Sequence, residues 1–96
     1  MVKLHGHIGS PYVRIAMVAL EEAKADYEYV HVDIMAGGTK TEEFLKLNPL
    51  GKVPALSDGD FSIGESAAIV RYVSDKFGGN FLPQEPKDKA TVEMWW

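Results

Sequence analysis

The chain predicts a small α/β domain, a mixed four-stranded sheet with helices on its faces, and three observations lead there. Its first third alternates a β-prone run, a helical run and a second β-prone run. An Asp58-Gly59 pair then sits between two short β-prone stretches, the mark of a hairpin. Directly after the hairpin, apolar residues recur at helical spacing.

Val2 to His5 reads as the first strand and Gly6 to Gly9 as a glycine-rich loop. Ser10-Pro11 opens a helix, with serine as N-cap and proline at the first helical position, where no backbone N–H is missed. The helix extends to about Ala23, and Tyr27 to Asp33 alternates as a second strand, so the two strands of this crossover unit should be parallel. Gly37-Gly38 marks a loop, and Thr41 to Leu47 a short helix stopped by Asn48-Pro49. Ala55 to Ser57 and Asp60 to Ile63 supply the hairpin strands. Ser62-Ile63-Gly64-Glu65 matches a capping box ahead of a helix from Glu65 to Phe77, with Ile69, Tyr72, Val73 and Phe77 on one face and Gly78-Gly79 as its stop. The resulting βαβ-α-ββα order is a thioredoxin-like plan.

Composition narrows the function classes. Ninety-six residues, 46% hydrophobic and 25% charged, suit one soluble domain. A net charge of −4 with scattered lysines and arginines argues against nucleic acid or an anionic membrane as partner. No apolar run approaches the length that spans a bilayer, and Met1 to Gly6 lacks the core of a signal peptide, so the expected location is cytoplasmic. Zero cysteines exclude disulfides, a CxxC centre and a cysteine nucleophile within the chain.

Two features bear on domain organisation. From Val13 to Leu20 the first helix is apolar nearly all round, apart from Arg14, and such a helix is usually covered on both sides. Past residue 82 the chain runs through a polar stretch, Leu82 to Lys89, into Ala90-Thr91-Val92-Glu93-Met94-Trp95-Trp96. The expected division is a domain over residues 1–82, then a linker and the start of a truncated helical domain over 83–96, the rest of that all-helical domain being absent.

The stretch from Asn48 to Leu56 carries the strongest functional signal. Pro54 removes a ladder donor and places Val53-Pro54 at a bend or sheet edge, where a cis bond is an option. In that form the Val53 backbone would face outward, able to pair with an extended ligand as an added strand would.

From Val2 to Leu82 the chain resembles the amino-terminal domain of cytosolic glutathione transferases, in their serine-type, phi- or theta-like branch. The residues that carry the resemblance are Ser10-Pro11-Tyr12-Val13-Arg14, Asn48-Pro49-Leu50-Gly51-Lys52-Val53-Pro54-Ala55-Leu56, and Glu65-Ser66 with Ala68, Ile69 and Tyr72. The tyrosine-type branch places its phenol at the end of the first strand, where this chain has His5-Gly6, and the cysteine-type branches need a thiol that is absent.

The resemblance implies an enzyme that binds glutathione as co-substrate, needs no other cofactor and attacks an electrophilic small molecule or a peroxide. It implies a homodimer for the full-length protein, and weak or no activity for these residues alone. Ser10 is then the catalytic candidate, its hydroxyl stabilising the thiolate. Glu65 and Ser66 take the γ-glutamyl end, while Lys52, Val53 and Pro54 lie along the cysteinyl backbone. Lys40 approaches the glycyl carboxylate, and Tyr12 and Thr39 are pocket candidates. Each residue also has a structural reading: Ser10 as a plain N-cap, Glu65 and Ser66 as first-turn residues, the lysines as solvated surface. The alternative function is a non-catalytic interaction module, like the transferase-like domain of elongation factor 1-gamma.

Other signals are weaker. His5 and His7 alternate, yet no cluster completes a metal site. Gly37 to Thr41 lacks the glycine before lysine that a phosphate-binding loop needs.

Overall fold

The computed structural model describes residues 2–78 and 85–94. Strand β1 (Val2–Gly6) leads into helix α1 (Pro11–Glu22) and strand β2 (Tyr27–His31). A single 3-10 turn (Gly38–Lys40) precedes α2 (Glu42–Leu47), followed by β3 (Ala55–Asp58), β4 (Phe61–Gly64), α3 (Ser66–Phe77) and α4 (Pro86–Met94). The sheet order is β2-β1-β3-β4. β1 and β2 are parallel with Leu4 opposite Tyr29, whereas Leu4 faces Leu56 and Leu56 faces Ile63 across antiparallel ladders. This is the expected thioredoxin-like fold.

Alternation along the strands separates two cores. Leu4 and Leu56 point toward α1 and α3, where they bury with Val13, Leu20, Ile69 and Val73 at 0% exposure. Each such side chain contributes about 1.5–3 kcal/mol of burial. Ala55 points the other way, joining Val32 and Phe44 in a smaller cluster beneath α2. Gly6 closes β1 against α1, because a Cβ there would lie 2.6 Å from Cγ2 of Val13. The fold thereby brings the N-terminus of α1 directly after the end of β1.

Local differences from the sequence expectation have physical causes. β2 stops at His31, since Asp33 turns to accept from the Ala36 N–H at 3.2 Å. The hairpin turn is Gly59-Asp60, with Asp58 still paired to Phe61. The capping box does not form: β4 continues to Gly64, so Ser62 lies in the ladder opposite Ser57, and Glu65 caps α3 without any side-chain hydrogen bond. On the buried face of α3, Val70 and Ser74 accompany Ile69 and Val73, while Tyr72 and Phe77 are half-buried. Gly78 ends α3 in the left-handed conformation. Residues 86–89, expected in a linker, lie within α4. The expected boundary at residue 82, Gly79 and the Trp95-Trp96 pair lie outside the described residues.

Candidate functional site

Between α2 and β3 the chain makes a compact loop organised by Asn48. A following proline keeps Asn48 extended, at φ −142° and ψ 102°, and so ends α2. Its Nδ2 donates to the Lys52 carbonyl at 2.8 Å, and its Oδ1 accepts from the Leu50 N–H at 3.2 Å. Its own carbonyl takes the Gly51 N–H at 2.9 Å. With both amide atoms bonded, Asn48 is satisfied at 3% exposure. The loop exits through a cis Val53–Pro54 bond into β3. No hydrogen bond among the described residues engages the backbone N–H or C=O of Val53.

This loop forms one wall of a cavity of about 290 Å³, near the lower end of small-molecule sites. Asn48, Lys52, Val53 and Pro54 come from the loop, Glu65 and Ser66 from the start of α3, and Tyr12 from α1. Lys52 and Glu65 are both exposed and bring opposite charges to the same opening. Ser66 is the first residue of α3, and the first intrahelical bond is Ile69 N–H to Glu65 C=O. With no side-chain cap, the N–H groups of the first turn are left to a ligand or solvent, and they favour an anion. Glu65 itself is strained, at φ 69° and ψ 122°, a backbone conformation that L residues rarely adopt.

Six of the sequence-derived candidates therefore line one cavity: Tyr12, Lys52, Val53, Pro54, Glu65 and Ser66. Ser10 is not among the lining residues; it sits half-buried at the N-cap of α1, two residues before Tyr12. Its Oγ accepts from the Val13 N–H at 3.5 Å. Lys40 is exposed beside the loop, its Nζ donating to the Gly51 carbonyl at 3.4 Å. Thr39 is 7% exposed inside the 3-10 turn and does not line the cavity. Asn48 lines the cavity without being a sequence-derived candidate: in sequence it marks a helix stop and opens the run to Leu56, and neither signal places its side chain at the site.

The histidines part company. His5 Nε2 meets Ser57 Oγ at 3.0 Å, and burial first, then the charge of Lys3, lowers its pKa. His7 accepts from the Gly9 N–H through Nδ1 and packs its ring 5.4 Å from that of His31. Among the described residues no group of three His, Cys, Asp or Glu side chains could hold a metal ion. On α3, Tyr72 and Lys76 both donate to the Asp58 carboxylate, pinning the hairpin to the helix. The Lys76 hydrogen bond leads in holding Asp58 below its ordinary pKa, with Tyr72 second.

Comparison with known proteins places this geometry in a family. Residues 1–75 match the family described as "Glutathione S-transferase, N-terminal domain". Among curated relatives, Glutathione S-transferase F6 of Arabidopsis thaliana is 44% identical over 95 residues, covering 97% of this chain and 46% of that protein. Glutathione S-transferase 4 of Zea mays is 43% identical over 98% of this chain and 43% of its own length. Of solved structures, glutathione transferase F2 of Populus trichocarpa superposes with a TM-score of 0.87 at 31% identity, covering 99% of this chain and 46% of that one. Glutathione transferase E6 of Drosophila melanogaster does so at 0.93 and 34%, over 98% of this chain and 44% of its own. The chain thus spans about half the length of the relatives it matches. These relatives favour the transferase reading over the interaction module, and this chain belongs to the glutathione S-transferase family, corresponding to its N-terminal domain.

Proposed function

We propose that the cavity binds glutathione and that Ser10 stabilises its thiolate for attack on an electrophilic small molecule. The observation that carries this reading is the pairing of two walls: an unpartnered Val53 backbone beside Lys52, and an uncapped helix start at Ser66 beside Glu65. A γ-glutamyl peptide matches both, since it offers an α-carboxylate, an ammonium and an extended amide. In this reading its carboxylate meets Ser66 and the first-turn N–H groups, and its ammonium meets Glu65. The cysteinyl amide pairs with Val53 as an added strand does. Lys52 and Lys40 offset the remaining negative charge, Pro54 shapes the floor, and Tyr12 borders the mouth.

The thiol then loses its proton to solvent, and two effects hold the resulting thiolate. The N-terminus of α1 favours negative charge, and the Ser10 hydroxyl donates to the sulfur while its oxygen caps Val13. The thiolate forms a bond to the electrophilic carbon as the leaving group departs with its electron pair. A peroxide offers an alternative electrophilic centre, at oxygen. Kinship with full-length transferases supports assigning the electrophile site to residues outside this domain. It likewise supports assembly of the whole protein as a cytoplasmic homodimer.

Calorimetry with the Glu65→Ala/Ser66→Ala double variant tests the binding half. Glutathione affinity is expected to fall at least roughly tenfold, from loss of two charge-assisted contacts. A double variant that glutathione stabilises against heat as fully as the parent would overturn the assignment.

A further inference from the structure

Asn48, which lines the cavity, packs directly against Gly64, sixteen residues away in sequence. A Cβ on Gly64 would lie 2.5 Å from Cγ of Asn48 and 2.7 Å from its Oδ1, far inside any real contact. The Asn48 amide therefore occupies the space that a side chain at Gly64 would fill. From that seat it reaches in two directions. Through Nδ2 and Oδ1 it holds the Lys52 carbonyl and the Leu50 N–H, fixing the loop that carries Lys52 and Val53. Against Gly64 it abuts the residue directly before Glu65, the strained cap of α3.

We infer that Asn48 is a positioning residue: seated in the socket left by Gly64, it sets the spacing between the Lys52–Pro54 wall and the Glu65–Ser66 wall of the cavity. The assignment rests on the glutathione reading only for its ligand. A tripeptide held at both ends senses that spacing, because a shift on the order of an ångström at one wall breaks contacts that the other still makes. Asn48 acts through backbone atoms at 50 and 52, and touches the ligand only by lining the cavity.

A double-mutant cycle of Asn48→Ala and Gly64→Ala in the full chain, reading glutathione dissociation constant and melting temperature together, tests this. Gly64→Ala drives its methyl into the Asn48 amide, while Asn48→Ala empties the socket and unties the loop. Each single variant should weaken glutathione binding roughly tenfold or more. The double variant should lose no more than about threefold beyond the worse single, because one contact cannot be broken twice. Asn48→Asp keeps the shape and the Oδ1 acceptor but loses the donor to Lys52, so it guards against outright unfolding and should weaken binding by at least several-fold.

Losses that multiply in the double variant would overturn the inference. So would single variants, Asn48→Asp included, that melt earlier yet bind glutathione as tightly as the parent, since that marks a purely structural contact. A parent that binds no glutathione would sink the ligand reading instead. The socket would then stand or fall on the melting temperatures, which must also fail to add.

Discussion

Ser10 holds the Val13 N–H at 3.5 Å, whereas Thr41, the other hydroxyl cap, holds the Phe44 N–H at 3.1 Å. The cap on α1 is thus the looser of the two, and Ser10 acts in it only as an acceptor. Its hydroxyl hydrogen has no acceptor among the described residues. A residue of this kind contributes little to the helix and has its donor in hand for something else.

Ser10→Ala should cost under about 1 kcal/mol of stability, at the low end for a lost hydroxyl cap. In the full-length protein it should reduce thiol transfer on the order of a hundredfold, as loss of one donor to a developing or resident anion does. Glutathione affinity should stay within a few-fold. Turnover and binding measured on the same preparation separate these effects. A tenfold or greater loss of affinity with unchanged turnover per bound ligand contradicts the thiolate role.

Glu65 supplies a second prediction, because its carboxylate and its strained backbone can be removed separately. Glu65→Ala deletes the carboxylate and keeps a Cβ at φ 69°; Glu65→Gly deletes both. The glycine variant should be more stable than the alanine variant by about 1–3 kcal/mol, the scale of such strain. Both should bind glutathione equally poorly. Chemical denaturation of the pair decides it, and equal stabilities would mean that the backbone at Glu65 carries no strain.

The Asp58 cluster yields a pH prediction. Asp58 sits below its ordinary value of 3.8 in the fold, so its contribution to stability is fully present above the unfolded-state pKa and is lost as pH falls through the lower, folded one. The melting temperature of Asp58→Asn should therefore trail the parent by a constant amount from neutral pH down to about 5. Below about pH 4 the gap should close. A gap that widens on acidification would show that the carboxylate is not the group Lys76 and Tyr72 stabilise.

The outward side of α1 gives a fourth. Tyr12 and Val18 are about 60% exposed there, with Ile15 between them at 38%, an apolar row on consecutive turns. A chain of these 96 residues should self-associate as its concentration rises, and Val18→Lys should weaken that association. Sedimentation equilibrium reads the outcome, and an ideal monomer for the unmodified chain at high concentration would refute it.

Much of this was legible in local sequence. Ser10-Pro11, Asn48-Pro49 and Gly78 each mark an element end through their own backbone chemistry, and the structure has ends at all three. What could not be read depends on contacts between distant segments. Ser62 has the spacing of a capping box, yet pairing with Ser57 in the ladder takes precedence. Gly64 looked like part of that same box, and its purpose is visible only once Asn48 is folded against it. Thr39 was a pocket candidate by position alone, and the 3-10 turn that buries it has no strong sequence signature. Lys40 gives up part of its freedom to the Gly51 carbonyl, a partner set by the shape of the Asn48 loop.

Glutathione bound in this cavity should carry an ionised thiol held by Ser10. Ultraviolet absorbance of the thiolate, titrated against pH for bound glutathione in the parent and in Ser10→Ala, tests it most directly. The bound thiol should ionise clearly below the free value near 8.5 and shift back toward that value when the hydroxyl is removed. Identical titration curves for the two proteins, with glutathione bound in both, would contradict it.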